Sequence, residues 1–167
     1  SGASGITTSD VVFGSSGPSA KSSIAARAAR QGLVFDGTAQ AATGSTAIPA
    51  FGTSDFSVSA VINTDLTVSN QGIIGPNDSN AFGLFVYTSG LLGAQNAGVT
   101  TVGNSTGAIS ANKTAHVAYV RSGTTGTFYI NGVAAGSITD STNYSNRTYL
   151  IGNVGGLNIF KGTLAQP

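Results

Sequence analysis

The sequence predicts an all-β protein, an antiparallel β-sandwich behind an N-terminal arm. Three observations predict it: short runs alternate apolar and small polar residues with period two, turn residues bound each run, and an Asn-Gly pair joins two of them. A chain of 167 residues without cysteine buries roughly two-thirds of its unfolded surface, so its core needs no metal or disulfide. Twenty-four glycines among abundant Ser, Thr, Asn and Ala would suit disorder, but the period-two patterning argues for a packed sheet.

Ser1 to Pro18 is rich in Gly, Ser and Thr, with one apolar island at Val11 to Phe13. Ser22 to Arg30 joins a Ser cap to helix-favouring alanines and ends with Arg27 and Arg30, which predicts a short helix. Residues 1–31 therefore read as an arm, a linker plus a helix too short to stand alone. From Phe56 the chain reads Phe-Ser-Val-Ser-Ala-Val-Ile-Asn, which puts Phe56, Val58 and Ala60 on one face of a strand. Phe82 to Tyr87, Ala115 to Arg121, Thr127 to Ile130, Val133 to Ile138 and Tyr149 to Ile151 repeat the signal between clusters of Gly, Asn, Ser and Thr. Asn131-Gly132 predicts a type I′ hairpin, because both residues tolerate positive φ. With Ser122 to Gly126 as the preceding turn, the strands around His116, Phe128 and Val133 form a meander, with Phe128 and Ile130 on one face and Tyr129 on the other. Gly93 to Gly107 and Gly155-Gly156 read as turn and bulge glycines, since neither stretch carries the Lys-Ser/Thr of a phosphate loop.

Leu33-Val34-Phe35-Asp36-Gly37-Thr38, then Ile48-Pro49, then Asp55-Phe56-Ser57-Val58-Ser59-Ala60 resembles the opening of laminin G-like domains of the concanavalin A-like lectin and glucanase superfamily. His116 to Arg121, Tyr129 to Val133, Leu150 to Asn153 and Phe160 to Leu164 are similar to the family's later strands, in the family's order. The resemblance covers Leu33 to Pro167 and implies a two-sheet jelly roll over residues 32–167. Family members carry Trp near Val61 and Thr114, so the core here is expected to pack differently. They also continue past Gly162-Thr163-Leu164 into a last strand pairing near the start of the domain. The expectation is that either the arm supplies the missing partner or the protein runs on past Pro167, and that a missing strand would leave a sheet edge open to another chain.

Several classes of function are excluded. Formal charge is +1, and the seven Lys and Arg are scattered singly, so no basic stripe exists for nucleic acid or anionic lipid. Apolar runs fall far short of the roughly 20 residues that cross a bilayer, no basic-then-apolar leader opens the chain as it stands, and Ser1 reads as the start of a processed chain or fragment. Glycoside hydrolysis needs two carboxylates roughly 5 to 10 Å apart. This chain has no glutamate, and Asp36, Asp55, Asp65, Asp78 and Asp140 sit at turns or strand edges, with no pair two apart on a strand. His116, the lone histidine, reads as a sheet residue rather than a zinc ligand, and no nucleophile elbow is present. The protein is expected not to be an enzyme.

The resemblance also implies calcium at the sandwich rim. Asp78, within Asn77-Asp78-Ser79-Asn80, and Asp140, before Ser141-Thr142-Asn143-Tyr144, are its candidate ligands. The alternative is that these residues make turns by bonding their own backbone. A glycan site needs amides and an aromatic platform: Asp78, Asn80, Tyr87, Asn143 and Tyr144 are the candidates, with Tyr149 a further exposed aromatic. Sequons at Asn77, Asn104, Asn112, Asn143 and Asn146 follow from composition. The expectation is a structural or adhesion module on a virion surface, such as a phage decoration or tail-fibre protein, or on an extracellular or cell surface. The alternative is a calcium-assisted, glycan-binding lectin-like module. Partners would be other chains through the arm and cell-surface glycans.

Overall fold

The computed structural model describes residues 32–38, 40–43, 50–155 and 158–165. The arm and its expected helix lie outside these residues. Two six-stranded antiparallel sheets face each other. The first runs in the order β1 (Leu33–Asp36), β14 (Lys161–Ala165), β3 (Phe56–Thr64), β8 (Ala115–Ser122), β9 (Thr125–Ile130) and β10 (Val133–Thr139). The second runs β2 (Ala42–Thr43), β11 (Tyr149–Ile151), β4 (Gln71–Pro76), β5 (Phe82–Val86), β6 (Leu91–Asn96) and β7 (Thr100–Ala108). A small ladder of β12 (Asn153–Val154) and β13 (Asn158–Ile159) packs against β4.

Period-two alternation decides which side chains enter the core. Phe56, Val58, Ala60 and Ile62 face inward from β3, while Ser57 and Ser59 face solvent. Ala115, Val117 and Tyr119 do the same on β8, and Phe128 and Ile130 on β9. The meander is present: β8 pairs with β9 from Val117↔Ile130 to Ser122↔Thr125, and β9 pairs with β10. Its hairpin has positive φ at Asn131 and Gly132, and Asn131 Oδ1 accepts the His116 backbone N–H at 2.9 Å. His116 lies on the outer face opposite Val61. Packing without Trp is by Phe and Tyr: Phe56, Phe82, Tyr119 and Phe128 form a chain of ring contacts about the sandwich centre.

Lys161–Ala165 itself pairs near the start of the domain, since it lies between β1 and β3. The glycines expected at turns prove different in part. Gly93, Gly103 and Gly107 lie inside β6 and β7, where a Cβ would strike Tyr87 at the first and Ile138 at the second and press tightly on Ala135 at the third. They are seats for neighbouring side chains, and they hide β6 and β7 from a search for alternation.

Candidate functional site at one end of the sandwich

At one end of the sandwich the chain reverses through residues 50–55, 77–81, 97–99, 122–124 and 140–148. These loops are stitched together through the backbone. Gly52 and Tyr144 exchange two hydrogen bonds (2.9 and 3.0 Å), Ser145 N–H donates to Asn80 O (2.8 Å), and Asn80 N–H donates to Ala97 O (2.9 Å). Asp55 caps the β8–β9 turn by accepting the Gly123 N–H at 2.7 Å.

Beneath them lies a charge the pattern puts indoors. Arg121 follows Val117 and Tyr119 at the inward parity of β8 and is 1% exposed. Its guanidinium donates to the carbonyls of Ser54 (Nε 3.1 Å, Nη2 2.8 Å), Gly52 (Nη2 2.8 Å) and Thr142 (Nη1 2.7 Å). It also stands 3.6 Å from Asp140 Oδ1 and 5.0 and 5.2 Å from the ring centres of Phe56 and Tyr144. Asp140 is itself buried. It accepts from Tyr119 at 2.6 Å, from Tyr144 at 3.1 and 3.2 Å, and from the Thr142 N–H at 3.1 Å. Burial, reinforced by that carboxylate, pushes both tyrosine hydroxyls well above their ordinary range.

The loop surface above this network carries Asp78, Asn80 and Asn143, all exposed. Asp78 pairs with Arg147 (Nε–Oδ1 3.0 Å), whose Nε also donates to Ser79 O at 2.9 Å and whose Nη1 donates to Asn146 O at 2.7 Å. Asn80 holds a positive φ of 65°, a conformation asparagine tolerates. The structure thus brings three of the expected site residues to one rim and separates the other two.

Tyr144 is fully buried, its hydroxyl turned to Asp140, so it offers no ring to a ligand. Tyr149 is buried as well, and burial pushes its hydroxyl up to about 12. Tyr87 follows the far end of β5, its ring on the outer face of the second sheet. Asp140 spends its oxygens on two tyrosines, Thr142 and Arg121, and Asp78 already faces a guanidinium. Among the described residues no group of three or more His, Cys, Asp or Glu side chains comes together. Sequence reasoning missed Arg121 and Arg147. The parity of β8 carried the signal for Arg121, and nothing local carried one for Arg147.

The other carboxylates in the described residues are engaged too: Asp36 with Thr38, Asp55 with the β8–β9 turn, and Asp65 with Lys161 at 2.8 Å. No two of them stand free to act as acid and base. What the rim offers is a carboxylate, a guanidinium and amides on a rigid base, the groups that hydrogen-bond hydroxyls.

With two sheets in this order, the chain belongs to the concanavalin A-like lectin/glucanases superfamily: a laminin G family model matches residues 35–166. Among curated proteins no sequence matches it. Its fold is similar to domains LG4-5 of the mouse laminin α1 chain, with TM-score 0.62 and 15% identity over 82% of this chain and 40% of that one. It is also similar to the heptameric SAP-like pentraxin of Limulus polyphemus, with TM-score 0.58 and 21% identity over 79% of this chain and 71% of that one. A third likeness is to domain 4 of AbnA, a GH43 extracellular arabinanase from Geobacillus stearothermophilus solved with arabinotriose, with TM-score 0.53 and 17% identity over 79% and 77%. The chain spans only 40% of the laminin pair. At these identities the likenesses establish the fold.

Proposed function

We propose that this chain is a non-catalytic glycan-binding or adhesion module of an extracellular or surface protein. The observation that carries the reading is the loop end itself: exposed Asp78, Asn80 and Asn143 and half-buried Arg147 stand on two loops that are hydrogen-bonded to each other through Ser145 N–H and Asn80 O, and Arg121 and Asp140 hold the 140–148 loop from below. Preorganised polar groups bind hydroxyl-rich ligands without first having to be ordered. The arabinotriose complex of a similarly folded domain supports the same class of ligand. Among the described residues no helix is long and apolar enough to cross a membrane. The relatives named above include no virion component, and the arm that suggested assembly lies outside the described residues.

The test is binding to a glycan array by the whole chain and by Asp78→Ala, Asn80→Gly, which keeps the positive φ, and Asn143→Ala, each in calcium and in chelator. The reading expects a bound glycan, weaker binding by the variants at unchanged thermal stability, and no effect of chelator, since the rim carboxylate already has a cationic partner. A wild-type chain that retains no glycan, or variants that bind as well as wild type, overturns it.

A further inference from the structure

We propose that the outer face of the first sheet is the docking site for this chain's own segment Ser22–Arg30, held there as a short amphipathic helix. The segment lies outside the described residues; its sequence and the strand it leads into point to the placement. Nothing in it depends on what the loop end binds.

On a helix, Ile24, Ala25, Ala28 and Ala29 share one side, and Ser23, Arg27 and Arg30 the other. Nine residues are too few for a helix to hold in water alone, so the apolar side needs a surface. Gly32 fixes where such a helix stops. It takes a positive φ of 74°, the conformation that commonly ends a helix, and β1 starts at the next residue. A Cβ there would stand 2.5 Å from Leu164 O and 3.0 Å from the Ala165 Cβ, so this turn lies close against β14. With Gln31 alone between, the helix leaves directly from the edge strand of the first sheet, which offers it two faces. The inner one is filled by the core.

The outer face suits it. Val61 lies opposite Ala165 and His116, Ala118 opposite Ser59 and Tyr129, and Val120 opposite Ser57, and direct partners share a face. β3, β8 and β9 put no Asp, Glu, Lys or Arg on it, since Arg121 points inward. Ser57 and Ser59 are exposed, and Val61, Val120 and Tyr129 half-buried, which makes a shallow floor with apolar sides. The second sheet carries a layer of its own, the β12–β13 ladder with Phe85, Ala97 and Val154, and the first has none among the described residues. Alanines let a helix come close to such a floor, while Arg27 and Arg30 stay in water at its C-terminal end, where cations are favoured. A helix of this length spans roughly 13 Å and strands stand about 4.8 Å apart, so it reaches from β1 to β8. A link of one residue makes the docking intramolecular, which favours the chain's own helix over that of a second copy.

The experiment is hydrogen exchange of the whole chain, read by mass spectrometry over residues 24–31, beside light scattering of the same sample. Amides there are expected to exchange at least about tenfold more slowly than in an unstructured segment, at a monomer's mass. Ala28→Glu, which keeps a good helix former but charges the docking side, abolishes the protection, and Ala26→Glu on the opposite side keeps it. Ser59→Lys on the first sheet abolishes it too, and Asn104→Lys on the second does not, with circular dichroism establishing that each variant is folded. Should Ser59→Lys fail to fold, the pair of arm variants, which leaves the sandwich untouched, decides alone. Exchange at the unstructured rate in wild type overturns the proposal. So do equal effects of Ala28→Glu and Ala26→Glu, or loss with Asn104→Lys and not with Ser59→Lys. Protection that appears only at a dimer's mass overturns it as well, because the helix then sits on a second copy.

Discussion

Replacing Arg121 by Met removes the guanidinium but keeps an unbranched side chain in its place. The change strips four hydrogen bonds to the carbonyls of Gly52, Ser54 and Thr142 and leaves Asp140 buried without its cation. Breaking a buried pair from one side costs about 3–5 kcal/mol. The three carbonyls lie near the surface and regain water, so they add less. A loss of about 4 kcal/mol is a large share of the ~5–15 kcal/mol that holds a domain folded, and lowers Tm by about 8–16 °C at this size. Asp140→Asn is expected to cost less, about 1–3 kcal/mol, because Arg121 keeps its carbonyls and the new amide still accepts from a tyrosine. The double variant then costs less than the two single changes summed, by about 1 kcal/mol or more. The chain has no Trp, so urea unfolding is followed by tyrosine fluorescence and circular dichroism. An Arg121→Met variant within about 1 kcal/mol of wild type, or strict additivity in the cycle, would refute the lock.

Gly126→Ala is expected to destabilise by about 1–3 kcal/mol or more in the same assay, since its Cβ would sit 2.5 Å from Cζ of Tyr119, a buried ring pinned by Asp140. Gly93→Ala meets a half-exposed ring that can swing away, so it must cost less; the reverse order contradicts the packing. Hydrogen bonds from Lys161 and Thr67 hold the Asp65 carboxyl at about 2, below its ordinary value. That contribution is complete above the unfolded carboxyl's pKa and is lost as pH falls through about 2. Asp65→Asn therefore flattens the acid limb of a stability-against-pH curve, and an unchanged limb counts against the pair. Spectrophotometric titration to pH about 11 should leave Tyr119, Tyr144 and Tyr149 largely protonated while the fold stands; ionisation of all five tyrosines with circular dichroism intact would contradict their burial.

Strands were legible where one face is buried and the other wet. Phe56 to Thr64 and Ala115 to Ser122 alternate because only one side of their sheet meets the core. β4, β5 and β6 are buried more continuously, since Val154, Phe85 and Tyr87 cover the outer face of their sheet. Alternation vanishes there, and glycines that seat those side chains look like turn residues. β5 was found only because its run is apolar throughout. At the site, turn chemistry correctly put Asp78, Asn80 and Asn143 on loops. It could not separate Asn143 from its neighbour Tyr144, which turns inward, because that depends on an acceptor four residues away meeting an arginine from another strand. Asp140 illustrates the same limit: a turn-forming aspartate by local rules, and a buried counter-ion in the fold.

The presence of an ion pair inside so weakly charged a chain follows from the loops themselves. Residues 50–55 and 140–148 reverse over the end of the sandwich, and this turns the carbonyls of Gly52, Ser54 and Thr142 toward the core. Inward carbonyls need donors, and an apolar residue at position 121 would supply none. A guanidinium supplies several in one plane, but its charge then requires a counter-ion, which Asp140 provides. Asp140 in turn has lone pairs to satisfy, and the hydroxyls of Tyr119 and Tyr144 reach it from the aromatic core. Each buried polar group is thus required by the one before it, and the sequence closes without recruiting any exposed side chain. Asp78, Asn80 and Asn143 are accordingly free of duties in the core. Substitutions of Asp78 and Asn143 cost the fold no more than a surface change does, roughly 0.5 kcal/mol or less, and Asn80, at positive φ, is replaced at as little cost only by Gly. An end built this way can change its exposed side chains without rebuilding its support.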